Sequence, residues 1–599
     1  MNSYGLKIWA EDNYFIEDGL IKLNYASKPA LLDIYKNLKE QSFKGPLLLR
    51  FPHLIKKQID TLFNTFEHSI KEYDYKGSFN GVFPLKVNQV PNFLFPLLRA
   101  GKKYAYGLEA GSKAELVLAM AYNNLGTHIM VNGFKDKEMI HMAFLAKKMG
   151  HKITLTIEGL NELETILEVI KETKMLSPDI GLRIRLHTSG SGIWAKSGGI
   201  NSKFGLNATE ILQAFKILED NGLLDLLTII HFHIGSSISS IQTIKKAIKE
   251  TGNIYAELKK LGAKALESIN IGGGLGVEYS QFEKTKQYSL EEFSNDIVFL
   301  LKEIALQKNV KEPNIFTESG RFIAASSAVL LAPVLELFSS EYEYENLKLK
   351  KQNPKLISEL YDLYLSLNKK YALEYMHDSL DCLESLLTLF DLGYIDLQDR
   401  SNAEILTNLI IKKALELVNI DDYSELKKID EKIQEKYLVN FSIFQSLPDL
   451  WGINQEFPIM PISHLDKNAT RSASLWDITC DSDGEISFND KKPLYLHDVN
   501  LKKEEYILGF FNVGAYQDTL GMKHNLFSHP NEVLIEFDKQ GQIKTNKALQ
   551  SQKILDILED LDYDISHLEK VFKSKLDGNS YKILKQYLEE NNYLKTICS

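Results

Sequence analysis

The stretch YAYGLEAGSKAELVLAMAYNNLGTHIMVN, residues 104–132, decides the fold class. It begins with a short apolar run, Tyr104–Leu108, and ends with another, His128–Asn132. Between them, GSKAELVLAMAYNNLG has the 3.6-residue periodicity of a helix and closes with Gly126, a usual C-terminal stop. The stretch therefore predicts one strand–helix–strand unit.

The same alternation continues from about residue 45 to residue 335, and it predicts a parallel sheet. Eight such units in about 250 residues favour a (β/α)8 TIM-type barrel, with a doubly wound open sheet as the competing prediction. A Gly/Ser-rich stretch, His187–Gly205, interrupts the pattern as either an active-site loop or a long crossover. The apolar runs are Gly81–Val87, Tyr104–Leu108, His128–Asn132, Lys152–Ile157, Ile180–Leu186, Leu226–Ile234, Ser268–Ile271 and Asn314–Thr317.

The segments outside the barrel differ in pattern. Leucines at helical spacing predict a helix bundle after residue 340, short strands with turn signals predict an all-β domain after it, and the tail returns to helical periodicity. The fold class is therefore α/β, with a C-terminal all-β domain, a helical-bundle insertion and a helical tail. The predicted segments are 1–44 (joining the β domain), 45–335 (barrel), 340–437 (helical bundle), 438–545 (β domain) and 546–599 (helical extension).

Composition excludes several classes of protein. The 599 residues are 44% apolar and 25% charged, with a net charge of −10 and no Lys/Arg block of the kind that binds nucleic acid. No run of 18 apolar residues occurs, and the N-terminus lacks a signal-peptide pattern, so we expect no membrane span. Cys382, Cys480 and Cys598 are far apart, which argues against a disulfide framework or zinc knuckle and favours the cytoplasm.

Chemistry in such a barrel gathers at the C-terminal ends of the strands. Each candidate there has an ordinary alternative: Lys86 as a lysine extending to solvent, His233 as a structural histidine, and Glu318 with Arg321 as an ion pair. The predicted strand ends offer Lys86, Glu109, the HFHIGSS segment (residues 231–237), the IGGGLG segment (residues 271–276) and the TESGR segment (residues 317–321).

The glycine run fits neither common nucleotide signature. A dinucleotide fingerprint starting at Gly272 would need glycine at Val277, and a P-loop would need Gly-Lys-Ser/Thr. What remains is a series of N–H groups that a phosphate can approach closely, with Arg321 able to add a bidentate contact.

A nucleophilic lysine, a phosphate cradle and a carboxylate together describe a pyridoxal-phosphate site. Lys86 would form the Schiff base, and we expect burial to lower its pKa toward neutrality. Glu318 would lie against the pyridine nitrogen, where a charge contact at ~4 Å and an effective dielectric of ~20 contributes roughly 4 kcal/mol. His233 would stack on the ring.

The sequence resembles the biosynthetic arginine decarboxylases, which are barrel-type, alanine-racemase-like pyridoxal-phosphate enzymes. The resemblance extends from residue 81 to residue 527, and WDITCDSDG with VGAYQ is its most specific part. The segments that carry it are FPLKVNQ, GLEAGSKAEL, HFHIGSS, INIGGGLGV, ESGR, WDITCDSDG and VGAYQDTLGMKHNLF.

The resemblance implies further roles. Tyr516 would reach the cofactor from the β domain, and Cys480 of the neighbouring subunit would protonate the substrate carbon after CO2 leaves. Asp481 and Asp483 would bind the cationic end of the substrate; an Asp at 481, where diaminopimelate decarboxylases carry Glu, favours arginine, ornithine or lysine. The implied phosphate ligands are Ser236, Gly273, Gly274, Leu275, Gly276 and Arg321.

The implied reaction is decarboxylation of L-arginine to agmatine and CO2, which feeds putrescine and spermidine synthesis. The resemblance also implies Mg²⁺, with ligands unknown, and a homodimer at least, with a homotetramer suggested. Three alternatives stay open from the residues alone: an ornithine or lysine decarboxylase of the same fold, a non-catalytic pyridoxal-phosphate-binding regulator, and a racemase.

Overall fold

The computed structural model describes residues 4–188, 202–338, 344–418, 434–488 and 492–595. Most of the Gly/Ser-rich stretch, the last part of the predicted helical insertion and Cys598 lie outside these described residues. Of the helices within them, none has both the length and the apolar character needed to cross a membrane.

The N-terminal segment packs on the second sheet of the molecule. The buried ring of Trp9 lies 4.7 Å from that of Phe511, which follows a strand of that sheet. The elements of this segment are α1 (Leu6–Trp9), β1 (Tyr14–Glu17), β2 (Leu20–Leu23), α2 (Leu31–Glu40) and β3 (Leu47–Arg50).

Eight parallel strands then close into a barrel, with neighbours in the order β10-β11-β4-β5-β6-β7-β8-β9. Closure is complete because β9 pairs with β10 and β11 pairs with β4. The (β/α)8 prediction is therefore confirmed, and the open doubly wound sheet is excluded. The strands are β4 (Phe79–Pro84), β5 (Gly107–Ala110), β6 (His128–Val131), β7 (Lys152–Ile157), β8 (Asp179–Arg183), β9 (Leu227–His231), β10 (Ser268–Asn270) and β11 (Asn314–Thr317).

The helices around the barrel show where a glycine does and does not stop a helix. The helix that ends at Leu261 is closed by Gly262 in the left-handed conformation, with φ 116°. The helix predicted to run to Gly126 ends instead at Tyr122, because Asn123 leaves the helical conformation and its Nδ2 donates to Thr127 O at 3.3 Å. These helices are α3 (Pro52–Glu72), α4 (Pro91–Gly101), α5 (Lys113–Tyr122), α6 (Lys137–Lys148), α7 (Leu160–Thr173), α8 (Ala208–Asp220), α9 (Ile241–Leu261) and α10 (Leu290–Lys308).

The helical bundle has its own core. Leu360 and Leu367 are buried in it, and Leu356 and Leu363 pack against it, as the leucine spacing predicted. Between barrel and bundle, the chain forms α11 (Gly320–Ala324) and β12 (Ala328–Phe338); the bundle helices are α12 (Lys355–Ser366), α13 (Ala372–Asp391) and α14 (Leu397–Leu417).

The second sheet takes strands from both sides of the barrel. Its main order is β16-β15-β13-β12-β3-β19-β20, so β3 and most of β12, which fall in the range 45–335 predicted for the barrel, pair here instead. In the chain, β3 precedes the barrel strands and β12 follows them. These two connections hold the second sheet against the barrel. The remaining strands are β13 (Glu435–Val439), β14 (Ile459–Pro461), β15 (Arg471–Trp476), β16 (Glu485–Ile486), β17 (Tyr495–Leu496), β18 (Ile507–Phe510), β19 (Asn531–Phe537) and β20 (Ile543–Leu549).

The second domain also carries short helices, and three more follow it in the tail. The β domain and helical tail are present as the sequence predicted, and the predicted fold class is confirmed. The helices are α15 (Ile443–Ser446), α16 (Pro448–Ile453), α17 (Gln517–Leu520), α18 (Ile554–Glu559), α19 (Ile565–Lys575) and α20 (Gly578–Leu588).

Gly107 permits the close pairing of β5 with β6. A Cβ on Gly107 would lie 2.1 Å from the carbonyl oxygen of His128, so Gly107→Ala should lower the free energy of unfolding by about 1–3 kcal/mol. Gly452→Ala on α16 is the matched control, because nothing lies within 4 Å of its added methyl. Urea unfolding followed by circular dichroism measures both; equal stability of the two variants would contradict the expected overpacking.

Candidate active site

Lys86 lies one step beyond the barrel strand rather than inside it. β4 ends at Pro84, and Lys86 occupies a single 3-10 turn, Leu85–Val87. Proline has no N–H with which to continue a strand ladder. Both neighbours of Lys86 are buried whereas Lys86 itself is exposed, so the apolar run was correctly identified but its lysine is not a strand residue.

The groups around Lys86 set the charge of its amine. Loss of solvation in its cleft acts to lower the pKa of Lys86. The carboxylates of Glu109 and Glu318 and the phenol of Tyr516 outweigh that effect, so the pKa of Lys86 lies above its usual range. The expectation that burial lowers this pKa toward neutrality is therefore wrong. The neighbouring negative charges stabilise the ammonium form more than partial burial destabilises it.

Glu318, directly after β11, is an ionised carboxylate. Its Oε1 accepts hydrogen bonds from Asn132 Nδ2 at 2.9 Å and Asn270 Nδ2 at 3.3 Å. His231 Nε2 lies 3.3 Å from the same oxygen, without the alignment of a hydrogen bond. Burial alone would raise the pKa of Glu318, but His231 and Lys86 bring it well below its usual range. Such a carboxylate can hold a protonated ring nitrogen.

Glu109, on β5, differs from Glu318 in having a raised pKa. Burial raises the pKa of Glu109 to about 8, although the ammonium of Lys86 acts against this. Its Oε2 is buried and has no hydrogen-bond partner among the described residues. Glu109 and Glu318 both border the same lysine but titrate far apart, and such separation is typical of carboxylates with different roles in acid–base chemistry.

His233 is a neutral imidazole of fixed tautomer. Its Nδ1 accepts a hydrogen bond from the Gly273 N–H at 3.1 Å, which leaves the ring proton on Nε2. Burial and the nearby charge of Lys86 lower the pKa of His233 to about 3. A Cβ on Gly273 would lie 3.3 Å from His233 Cε1, so glycine allows this close approach. An uncharged, fixed ring suits stacking on a flat cofactor.

The glycine run after β10 offers two free N–H groups. Gly274 has φ 108°, a left-handed conformation that favours glycine. The N–H of Gly273 is used by the imidazole, and that of Gly276 donates to Tyr288 OH at 3.1 Å. Within the described chain, the N–H groups of Gly274 and Leu275 make no hydrogen bond. Of the four predicted phosphate contacts in the run, these two are open.

Arg321 lies between two aromatic rings and is almost fully buried. Its Nε donates to Ser236 Oγ at 3.0 Å and its Nη1 to Tyr279 OH at 3.3 Å, while its guanidinium lies 4.5 Å from the centre of the Tyr516 ring. Its carboxylate neighbour is Asp449, at 3.7 Å, rather than the glutamate three residues earlier. The structure thus brings the predicted Ser236, Arg321 and Tyr516 together.

The other predicted residues form a separate, exposed group. The N–H of Cys480 donates to Asn525 Oδ1 at 3.1 Å, and Asn525 Nδ2 lies 3.3 Å from the Sγ of Cys480. Asp481 Oδ1 accepts from the Asp483 N–H at 3.0 Å, and Asp483 Oδ2 accepts from Trp451 Nε1 at 3.1 Å. In the described part of the chain, no hydrogen bond or ion pair joins this group to the barrel rim.

Several supporting side chains were not predicted from the sequence. His231 was named only as part of the HFHIGSS segment, without a role of its own, and it is the last residue of β9, two residues before His233. Asn270 ends β10 and Asn132 follows β6, so both occupy barrel-rim positions where the rule for such barrels would place functional groups. Asn525, which holds the thiol, had no comparable signal.

The barrel rim fits pyridoxal phosphate. It provides an accessible amine, an ionised carboxylate, a neutral imidazole, and N–H groups beside a guanidinium for a phosphate. In contrast, among the described residues no group of three or more His, Cys, Asp or Glu side chains is arranged to hold a metal ion, so these residues do not fit a magnesium site.

The depressed pKa of His233 predicts a pH dependence of stability. Since the native pKa of about 3 lies below the ordinary 6.5, the unfolded chain takes up a proton that the native ring refuses, and stability falls as pH falls from about 6.5. In protein prepared without pyridoxal phosphate, His233→Gln should therefore lose less melting temperature than the wild type between neutral pH and pH 4. His141→Gln, at an exposed position, is the control; parallel curves for all three proteins would rule out the effect.

The comparisons with known proteins agree with this arrangement. The family described as "Pyridoxal-dependent decarboxylase, pyridoxal binding domain" matches residues 57–325, and "Arginine decarboxylase helical bundle domain" matches residues 350–431. The biosynthetic arginine decarboxylase of Geobacter sp. (strain M21) is 38% identical over 577 residues, which cover 93% of this chain and 89% of that protein.

Two solved structures extend the comparison. The crystal structure of the biosynthetic arginine decarboxylase from Campylobacter jejuni is 56% identical, covers 100% of both chains and has a TM-score of 0.92. A diaminopimelate decarboxylase from M. jannaschii, 19% identical with a TM-score of 0.62 and covering 93% of this chain and 99% of that one, shares the fold. The resemblance inferred from the sequence motifs is confirmed, and the chain belongs to the biosynthetic arginine decarboxylase family of pyridoxal-dependent decarboxylases.

Proposed function

We propose that this enzyme removes CO2 from L-arginine to give agmatine, with pyridoxal phosphate bound through Lys86, and that it supplies agmatine for putrescine and spermidine synthesis. Family membership supports the reaction. The single structural observation that carries it is the Lys86 amine between two carboxylates of very different pKa. A cytoplasmic location is part of the proposal and is supported by cysteines that are free where described.

Pyridoxal phosphate, when bound, takes up the electron pair that departing CO2 leaves on the substrate α-carbon. Glu318 keeps the ring nitrogen protonated, because the amide donors and the imidazole around it favour its ionised form. His233 excludes water from one ring face. The phosphate is held by Arg321 and Ser236 together with the open N–H groups of the glycine run.

Glu109 is the group that we infer takes a proton from Lys86 Nζ, because its carboxylate is the neighbour that most strongly raises the pKa of that amine. The amine attacks an aldehyde only after it loses a proton, and the neighbouring carboxylates oppose that loss. A carboxyl with a pKa of about 8 both accepts and releases protons near neutral pH, whereas Glu318 stays ionised. We assign the proton exchange at Nζ to the unpaired Oε2 of Glu109.

We propose that Cys480 acts in the barrel of a second copy of the chain. A thiol is an acid weak enough to hold a proton at neutral pH and strong enough to give it to carbon. Asp481 and Asp483 lie beside it and carry the charge needed for a guanidinium. Both carboxylates already have a neighbour, since Asp483 Oδ2 accepts from Trp451 Nε1 and Asp481 Oδ2 lies 3.5 Å from His524 Nε2. A homodimer is the least assembly that completes such a site, and a homotetramer is the form that family resemblance suggests. Mg²⁺ has no assigned role, since the described residues do not fit it.

Lys86→Ala should abolish the visible absorbance of bound pyridoxal phosphate and lower arginine decarboxylation by about a thousandfold or more, because it removes the amine that would bond to the cofactor. Lys113→Ala, on the exposed α5, is the matched control and should keep both. CO2 and amine release with arginine, ornithine and lysine measures activity. A purified wild type that takes up no pyridoxal phosphate would overturn the proposal; preference for ornithine or lysine would favour the same-fold alternative.

Cys480→Ala should keep the cofactor absorbance but lose clean agmatine formation, since the carbon then lacks its proton donor. Cys382→Ala, at a half-buried position packed against the bundle core, is the matched control. Chromatography of the amine products measures the outcome, and unchanged turnover and product in the Cys480 variant would refute its role.

Mixing the two inactive variants tests whether the site is shared. If Lys86 and Cys480 come from different copies, reassembly of Lys86→Ala with Cys480→Ala should restore up to about a quarter of wild-type activity, because half the dimers are mixed and each has one intact site. No recovery after verified subunit exchange would place both residues in one chain.

A further inference from the structure

We infer that Asn88 and Asp518, anchored on Arg50, are positioning residues that hold the Lys86 amine and the Tyr516 phenol in a fixed relation. They lie where the barrel meets the second sheet, away from the reacting atoms. The inference rests on the proposed cofactor role of Lys86 and Tyr516, and it adds residues to which neither the motifs nor the proposed reaction gives a role.

The two functional side chains stand on segments joined directly by their backbones. Val87 O accepts a hydrogen bond from the Tyr516 N–H at 2.8 Å, and Lys86 O accepts from Thr519 Oγ1 at 3.3 Å. One contact comes from the residue after Lys86 and the other from Lys86 itself. Any shift between the barrel turn and the β-domain loop therefore moves the amine relative to the phenol.

Asn88 adds buried hydrogen bonds to this contact between the barrel turn and the β-domain loop. It is fully buried, and its Nδ2 donates to Gly514 O at 2.9 Å and to Asp518 Oδ2 at 2.6 Å, while its Oδ1 accepts from the Val90 N–H at 3.2 Å. A carboxylate of the same shape at this position could not donate. It would also place a second negative charge against Asp518, at a site where water cannot screen it.

Arg50, at the end of β3, fixes Asp518 to the second sheet. Its side chain is fully buried; Nη2 donates to Asp518 Oδ2 at 2.8 Å and Nε to Glu532 Oε1 at 2.6 Å. Two carboxylates thus share one guanidinium, but only Asp518 also reaches the Lys86 segment, through Asn88. Asp518 can therefore influence the position of Lys86, whereas Glu532 in the same network has only a structural role.

Tyr516 needs such support because its backbone is strained. Its φ is 69°, in the left-handed region that a non-glycine residue adopts at a cost of order 1–3 kcal/mol. The loop keeps this conformation only if its surroundings enforce it, and Gly514 and Asp518, the two loop residues that Asn88 contacts, lie on either side of Tyr516 in the chain. Loss of those contacts should let the phenol move away from Arg321 and Lys86.

The test compares three isosteric substitutions, Asn88→Asp, Asp518→Asn and Glu532→Gln, in the full-length protein. Dissociation constants for pyridoxal phosphate come from absorbance titration, and the circular dichroism of the bound cofactor reports its orientation. We expect Asn88→Asp and Asp518→Asn to weaken cofactor binding about tenfold or more and to change the dichroism. Glu532→Gln should lower the melting temperature without either change.

The double variant Asn88→Asp/Asp518→Asn, in which amide and carboxylate change places, should recover part of the lost affinity. If a single variant does not fold, Asn88→Ala takes its place, because it removes the amide and leaves the Arg50 pairs intact. Equal cofactor binding and dichroism in all variants, with only their melting temperatures changed, would overturn the positioning role. A wild type that binds no pyridoxal phosphate would instead overturn the proposed function, so the two failures are distinguishable.

Discussion

The charge balance at the Lys86 amine governs the rest of the site. Two carboxylates border this amine, yet His231 and two asparagine amides keep one ionised, while burial leaves the other with a pKa of about 8. If both were fixed as anions of low pKa, the amine would be held as an ammonium with no nearby group basic enough to take its proton near neutral pH. If both were protonated, nothing would hold a ring nitrogen in its charged form. Two carboxylates of unequal pKa allow one cleft both to exchange a proton with the amine and to hold a charged ring nitrogen.

Closure of the barrel makes this pair possible. Lys86 follows β4, Glu318 follows β11 and Glu109 lies on β5, and β11, β4 and β5 are consecutive neighbours in the sheet although β11 is the last barrel strand in the chain. His233 and the glycine run follow β9 and β10, which continue the same arc. The proposed cofactor site is thus built from five adjacent strand ends. An open sheet would have left β4 and β11 apart and the lysine without its ionised carboxylate.

The sequence was sufficient for what depends on local pattern. Strand–helix alternation predicted the barrel, and the rule that chemistry gathers at strand ends placed Lys86, His233 and Glu318 on one rim. Quantities that depend on distant neighbours could not be predicted. The pKa of Lys86 moves upward because of carboxylates on other strands, and α5 ends early because Asn123 bonds forward to Thr127. Each is decided by a contact that a linear pattern does not contain.

The position of Cys480 follows a different logic from the barrel rim. A cysteine kept for packing is usually buried, yet Cys480 is exposed and its N–H and Sγ are both engaged by Asn525. An amide that orients an exposed thiol stabilises little within one chain, since no apolar surface is buried with it. Its benefit must then arise where another surface covers the thiol. In the proposed function, the barrel rim of a second copy supplies the complementary half, because that rim provides the amine and Cys480 provides the proton for carbon. Under the proposed function, oligomerisation is a requirement of the chemistry, and the contact between the barrel and the second sheet is the element that positions one half-site relative to the other.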